Sequence, residues 1–281
     1  AIRLLATRAA LGAEQLDALL AEHSFALNGG QSRRALDVTE RLHEALPGSR
    51  AHLRLRVLDA LHGDGDTAAA RVAARELATH ADAPSQPDAG ARAIQLADAC
   101  VLAQWRAAPW SAARDARDEG AIRRAVRRLR AEGIAGVPVP VGASPRACAD
   151  LVEAMLAVTR GDRDARARLD ALDALMLTGP ALGDASSWAT LALARLYERL
   201  GATQRAVSTV RQRAYMNGWP RYRASSLRVE AHLATALGDT VAASAAWRAY
   251  LALRDVPAPA RRQHGERDVT SVPVLDRPVR R

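Results

Sequence analysis

The sequence predicts an all-α fold made of antiparallel helix pairs stacked side by side, and three observations carry that expectation. Of the 281 residues 49% are apolar, enough to bury a core, yet aromatics supply only 4% and Phe25 is the lone phenylalanine. The apolar fraction is mostly Ala and Leu, which suits close-packed helices and starves a β-sandwich of the β-branched and aromatic residues it wants. Apolar residues recur at helical spacing through most of the chain, in segments ended by Gly or Pro. These segments pair around a glycine that is followed five residues later by alanine: Gly30/Ala35, Gly65/Ala70, Gly201/Ala206 and Gly238/Ala243.

Taken in order, AEQLDALLAEHSFALN (13–28) places Leu16, Leu19, Leu20 and Leu27 on one side before Gly29-Gly30 ends the run. A second helix covers about 32–46 and stops before Pro47. The next pair, 51–62 and 67–80, is broken by HGDGDT (62–67). A calcium loop there would need a Glu at its twelfth position, which is Arg75, so the segment reads as a turn. After a polar gap at 81–88 come helices at 90–107 and 118–131, separated by Pro109-Trp110. Pairs then resume at 146–160 with 163–177 around Gly161, 185–200 with 203–214 around Gly201, and 221–237 with 240–254 around Gly238. PVPV (138–141) and VTSVPVL (269–275) are too broken by Pro to be central strands. The resulting division is N-terminal hairpins over 1–82, an irregular helical middle over 90–132, an extended linker over 133–145, C-terminal hairpins over 146–255 and an extended tail over 256–281.

The glycines recur after 35 residues between Gly30 and Gly65 and after 37 between Gly201 and Gly238. A left-handed Gly cap would end the first helix of each pair, and Ala one turn into the second lets the two backbones approach. One such pair cannot bury its apolar face alone, so pairs stack. On these residues ARLYERLGATQRAVSTVRQRA (194–214), EAHLATALGDTVAASAAWRAYLALR (230–254) and ALNGGQSRRALDVTERLHEALP (26–47) resemble tetratricopeptide repeats. The stretch from 194 through AYLALRDVPAP is also similar to the repeat regions that follow kinase or regulatory domains in large bacterial signalling proteins. The resemblance covers about half of the chain and implies a right-handed α-solenoid, irregular over 85–145 where the pattern lapses.

Formal charge is +9, and all 40 basic residues other than His are Arg. Two stretches concentrate them. AIRRAVRRLRAEG (121–133) sets Ile122, Val126 and Leu129 on one face and Arg123, Arg124, Arg127, Arg128 and Arg130 around the rest, a basic amphipathic helix. It reads as a solvated outer helix or as a docking face for acidic protein or anionic lipid. RQRAYMNGWPRYR (211–223) adds Arg211, Arg213, Arg221 and Arg223 around a Trp-Pro step. Here Asn217-Gly218 would turn the chain, Pro220 would open the next helix, and Trp219 with Tyr222 would fill the seam between neighbouring pairs. One or two aromatics do not form the platform that single-stranded nucleic acid stacks on. In the tail Arg261, Arg262 and Arg277 complete the candidate partner-binding set.

No nucleophile elbow, phosphate-binding loop, dinucleotide fingerprint or kinase signature is present, and the seven histidines lack metal-ligand spacing. Cys100 and Cys148 read as buried small apolar residues, His23 and His232 as satisfied core residues, and Asp170 and Asp173 as surface charges. Ser186 and Ser187 fit a helix N-terminus. No catalytic residue, cofactor or metal is expected, and no membrane-spanning run occurs. The chain begins at Ala1 without Met, which fits a removed signal peptide as well as Met excision, so the compartment stays open. The expectation is a non-enzymatic scaffold or adaptor with acidic protein partners in a larger bacterial assembly, for example as an extrinsic subunit of a membrane complex such as a photosynthetic one. Its rivals are a regulatory repeat domain of a signalling kinase or transcription regulator and, with less support, an RNA-binding helical repeat, although no side-chain recurrence of the one-base-per-repeat kind is found.

Overall fold

The computed structural model describes residues 13–46, 49–63, 65–84, 88–111, 119–131, 145–178, 185–212, 215–216, 219–220 and 222–254. Within them the chain is all-helical apart from one minimal ladder. The helices are α1 Ala13–Asn28, α2 Ser32–Ala45, α3 Ala51–His62, α4 Thr67–Ala81, α5 Ala89–Ala107, α6 Glu119–Ala131, α7 Pro145–Arg160, α8 Ala165–Thr178, α9 Ala185–Arg199, α10 Thr203–Arg211, α11 Arg223–Ala236 and α12 Thr240–Arg254. Between α10 and α11, β1 Tyr215–Met216 pairs antiparallel with β2 Trp219–Pro220. Pro220 therefore lies in a strand rather than at the start of a helix, and α11 begins three residues later.

Four turns are built alike. Gly30, Gly161, Gly201 and Gly238 have φ of 67°, 71°, 71° and 75°, the left-handed region open to glycine. In each, the residue after Gly donates its N–H to a carbonyl five residues back: Gln31 to Ala26, Asp162 to Ala157, Ala202 to Tyr197 and Asp239 to Ala234, at 2.8–3.0 Å. The glycine N–H itself bonds three residues back, which completes a Schellman closure of the preceding helix. Gly65 departs from the expected left-handed cap. It has no positive φ; instead a Cβ there would fall 2.5 Å from the Ala60 backbone nitrogen, so glycine is required by close approach of the chain to α3. Asp66 then caps α4 by accepting from the N–H groups of Ala68 and Ala69. Ala35, Ala70, Ala206 and Ala243 are all buried, as close helix approach demands.

The pairs α1/α2, α3/α4, α9/α10 and α11/α12 pack as hairpins, and α2 meets α3 as α10 meets α11. Residues 89–107, where the repeat pattern lapses, form a helix with many neighbours. Helix α5 is buried continuously from Gln95 to Trp105 and packs on α3, α4, α6 and α7. Its one buried charge, Asp98, is held by Arg50 Nε at 2.5 Å and Arg54 Nη1 at 2.6 Å.

Cys100 and Cys148 form a disulfide that joins α5 to α7, with Cα atoms 5.9 Å apart. Both are buried, as expected, but as a bonded pair rather than as two separate small apolar residues: 48 residues of sequence separate them, and the packing of α5 on α7 brings them within bonding range.

Long-range contacts also join the chain's two halves. Helix α9 touches α3 and α11 touches α1, beyond the nearest-neighbour contacts of a regular array. Tyr222 is buried as expected, yet its place is against Gly63 and Asp59 of the N-terminal half rather than between adjacent pairs. The tail and the linker 133–144, like the Trp219 side chain, lie outside the described residues.

Candidate partner-binding groove

Helix α6 buries Ile122, Val126 and Leu129 at helical spacing against α5 and α7. Its arginines are thereby directed away from the core, but they do not share one fate. Arg128 reaches back to the end of α4, donating to the carbonyls of Ala81 at 2.9 Å and Ala83 at 3.2 Å and to the Gln95 amide oxygen. It caps a helix and holds a loop, so it leaves the set of free partner-binding residues. Arg130 donates to Asp150 at 2.9 Å and Glu153 at 2.8 Å on α7, and Arg124 is exposed.

Arg123 and Arg127 face a groove of about 300 Å³ whose other wall is α7 and the start of α8. Arg160 and Arg168 complete a rim of four guanidiniums against two carboxylates, Glu153 and Asp162, over an apolar floor of Val126 and Leu156. The rim is held by ion pairs at its edges. Glu119 accepts from Arg160 at 2.7 Å and from Arg123 at 3.4 Å, and the Arg160 hydrogen bond foremost holds its carboxyl below the usual range. Arg168 is paired to Asp164 at 2.8 Å and to Glu153 at 3.6 Å, the Asp164 hydrogen bond raising its pKa further. Among the described residues Arg127 has no ion pair. Exposed pairs of this type are weak, so an incoming carboxylate can replace Glu119 or Asp164 with little loss. A guanidinium fork receives carboxylate or phosphate in two parallel bonds, and the apolar floor suits the hydrophobic side of an amphipathic segment.

Of the second predicted patch, Arg211 and Arg223 lie among the described residues. Arg211, on α10, donates to Glu230 of α11 at 2.9 Å, and the backbone N–H of Arg223 donates to Asn28 Oδ1 at 3.3 Å. Arg213, Arg221, Arg261, Arg262 and Arg277 lie outside the described residues. Arg160 and Arg168 escaped sequence reading because each stands on a different helix from α6, and only packing adds them to Arg123 and Arg127.

Several polar residues prove structural. His23 is buried, with Nε2 2.7 Å from Asp59 Oδ2, whereas His232 is exposed and lies 3.4 Å from Glu198, against its core reading. Asp173 is not a surface charge. It is buried, 2.6 Å from Arg205, while Asp170 accepts from the Tyr197 hydroxyl at 2.8 Å. Burial, and then that bond, raise the Tyr197 pKa, and Arg166 and Arg205 both lie over its ring. Burial chiefly, aided by the nearby Arg195 charge, lowers the His62 pKa to about 3. Among the described residues no cluster of His, Cys, Asp or Glu could hold a metal ion, and no helix is long and apolar enough to cross a membrane. Comparison with protein-family models, curated proteins and solved structures finds no match to this chain.

Proposed function

We propose that the chain is a non-catalytic scaffold or adaptor of stacked, tetratricopeptide-like helix pairs that grips acidic segments of protein partners and so stabilises a larger bacterial assembly. The observation that carries this reading is the groove between α6 and α7, where Arg123, Arg127, Arg160 and Arg168 rim the apolar pair Val126 and Leu156. A surface of that kind selects a partner by charge complementarity and seats it by apolar contact. An extrinsic position on a membrane complex is one setting in which such a clamp would serve, with anionic lipid as a further acidic contact.

Titration with an amphipathic peptide that alternates Glu with Leu at helical spacing tests the reading. The groove should bind it in a salt-dependent manner, and Arg123→Glu with Arg127→Glu should weaken binding at least tenfold without loss of helicity. Equal binding by the variant, or no binding by either protein, would contradict the assignment.

A further inference from the structure

The pairs α9/α10 and α11/α12 repeat after 37 residues, so α10 and α12 can be compared position by position. Thr203 corresponds to Thr240, Ala206 to Ala243 and Arg211 to Arg248, each identical. Positions turned toward the first helix of the same pair are buried in both: Ala206 and Thr209 in α10, Ala243 and Ala246 in α12. The outer positions diverge. Val207 and Val210 are only 2% and 1% exposed, because α11 lies on α10, and there Arg211 Nε donates to Glu230 Oε1 at 2.9 Å.

On α12 the counterpart of Val210 is Trp247, 39% exposed, flanked by Val241 at 79% and Leu251 at 52%, with Arg248 where Arg211 stands one repeat earlier. At two positions, Trp247 for Val210 and Arg248 for Arg211, α12 thus leaves uncovered what α11 covers on α10, with a larger apolar group and the same cation, while Val207 has Ser244 as its counterpart and Val241 stands where α10 has the exposed Gln204. A cluster of exposed large apolar side chains on one helix marks a contact surface more than scattered single ones do.

We propose that this side of α12 binds a helix of a partner polypeptide, seated as α11 is on α10. The partner would bring an apolar seam to Val241, Trp247 and Leu251 and a carboxylate to Arg248 in the way that Glu230 meets Arg211. The charge pattern selects this occupant over a second copy. TVAASAAWRAYLALR (240–254) contains no acidic residue, so two such faces would set Arg248 against Arg248 with no carboxylate to answer either. It also selects it over the chain's own sequence after Arg254, whose longest Pro-free stretch, ARRQHGERDVTSV (260–272), carries Gly265 and only Ala260, Val269 and Val272 as apolar residues, too few for an apolar seam. This surface is independent of the arginine groove, so either can fail without the other.

The probe is a labelled, helix-stapled peptide with the α11 sequence RASSLRVEAHLATA, added to the full chain and followed by fluorescence anisotropy. Saturable binding is expected, weakened at least tenfold by Trp247→Ser and by Arg248→Glu. A peptide in which the residue equivalent to Glu230 is Arg should regain its affinity for the Arg248→Glu protein. Val241→Ser, at the most exposed apolar position of the face, should weaken binding too, and it keeps the test open if Trp247→Ser fails to fold. Binding that ignores all three substitutions, or none at all, overturns the proposal. So does a dimer in sedimentation that Trp247→Ser dissolves, which would make a second copy the occupant. Peptide binding that appears only after residues 255–281 are removed would assign the face to the chain's own tail and likewise overturn it.

Discussion

Tyr222 donates its hydroxyl to Asp59 Oδ1 at 3.3 Å across 163 residues of chain, while His23 sits 2.7 Å from the other carboxylate oxygen. Three helical regions, α1, α3 and the start of α11, are thereby tied at one buried carboxylate. Tyr222 does this from a left-handed backbone, φ 53°, a conformation uncommon for a bulky residue. Asp59→Ala would strand two buried partners and should lower the unfolding free energy by about 3 kcal/mol, whereas Tyr222→Phe removes one hydrogen bond and should cost about 1 kcal/mol. Urea denaturation of the two variants should show that order; equal losses would remove Asp59 from its place as the shared acceptor.

The disulfide closes a loop that contains all of α6 and so fastens the basic helix between α5 and α7. Cross-linking a loop of this length stabilises by about 2–4 kcal/mol, chiefly by restricting the unfolded chain. Thermal melting should shift down when dithiothreitol is added to the wild type and should not respond to it in a Cys100→Ala/Cys148→Ala variant. Intact-mass measurement on unreduced protein should find the chain short of two hydrogens.

His62 is fully buried, and burial chiefly, with the Arg195 charge, lowers its pKa to about 3. A His whose folded pKa is depressed contributes stability only while the unfolded state is also neutral. Below the unfolded value of about 6.5 the unfolded chain takes up a proton that the folded chain refuses, so stability falls with pH from about 6.5 toward 3. Between pH 7 and 5 the loss from this group should be about 2 kcal/mol. Replacement by a residue of fixed neutrality, His62→Gln, should flatten that part of the pH profile, as denaturant midpoints at pH 7, 6 and 5 would show.

Gly238→Ala and Gly65→Ala should differ in kind. At Gly238 a Cβ meets nothing within 4 Å, so the substitution loses only the left-handed preference, about 1 kcal/mol. At Gly65 the Cβ would press on the Asp59 carbonyl carbon at 2.6 Å and the Ala60 nitrogen at 2.5 Å, so α3 or the turn must move and the loss should be greater. Calorimetric melting of both variants checks the order.

The two glycines also show what was legible in the sequence. Gly followed by Ala at five residues marked the helix turns, and Gly30, Gly201 and Gly238 take the left-handed cap that spacing predicts because the rule is local. Gly65 looks identical in sequence, yet its requirement comes from the chain folding back on α3, which no local pattern reveals. The buried face of α6 could be read from Ile122, Val126 and Leu129, since helical period alone sets it. Which of its arginines remain on the surface could not: Arg128 turns inward because the end of α4 lies within its reach, and Arg160 and Arg168 join the groove only through packing. The cysteine pair and the Tyr222–Asp59 contact belong to the same class, residues far apart in sequence joined by the way the chain packs on α5 and α3.

The central claim, that the arginine groove holds an acidic partner, is tested most directly by a photo-crosslinking residue placed at Arg127 in the protein produced in its own source and purified under mild detergent. One discrete adduct is expected, its cross-linked peptide rich in Asp and Glu, present in stoichiometric amount and lost when Arg123 and Arg160 are changed to Glu. Recovery of a free monomer without an adduct, or an adduct equally abundant from a crosslinker at exposed Val72 on α4, would contradict it.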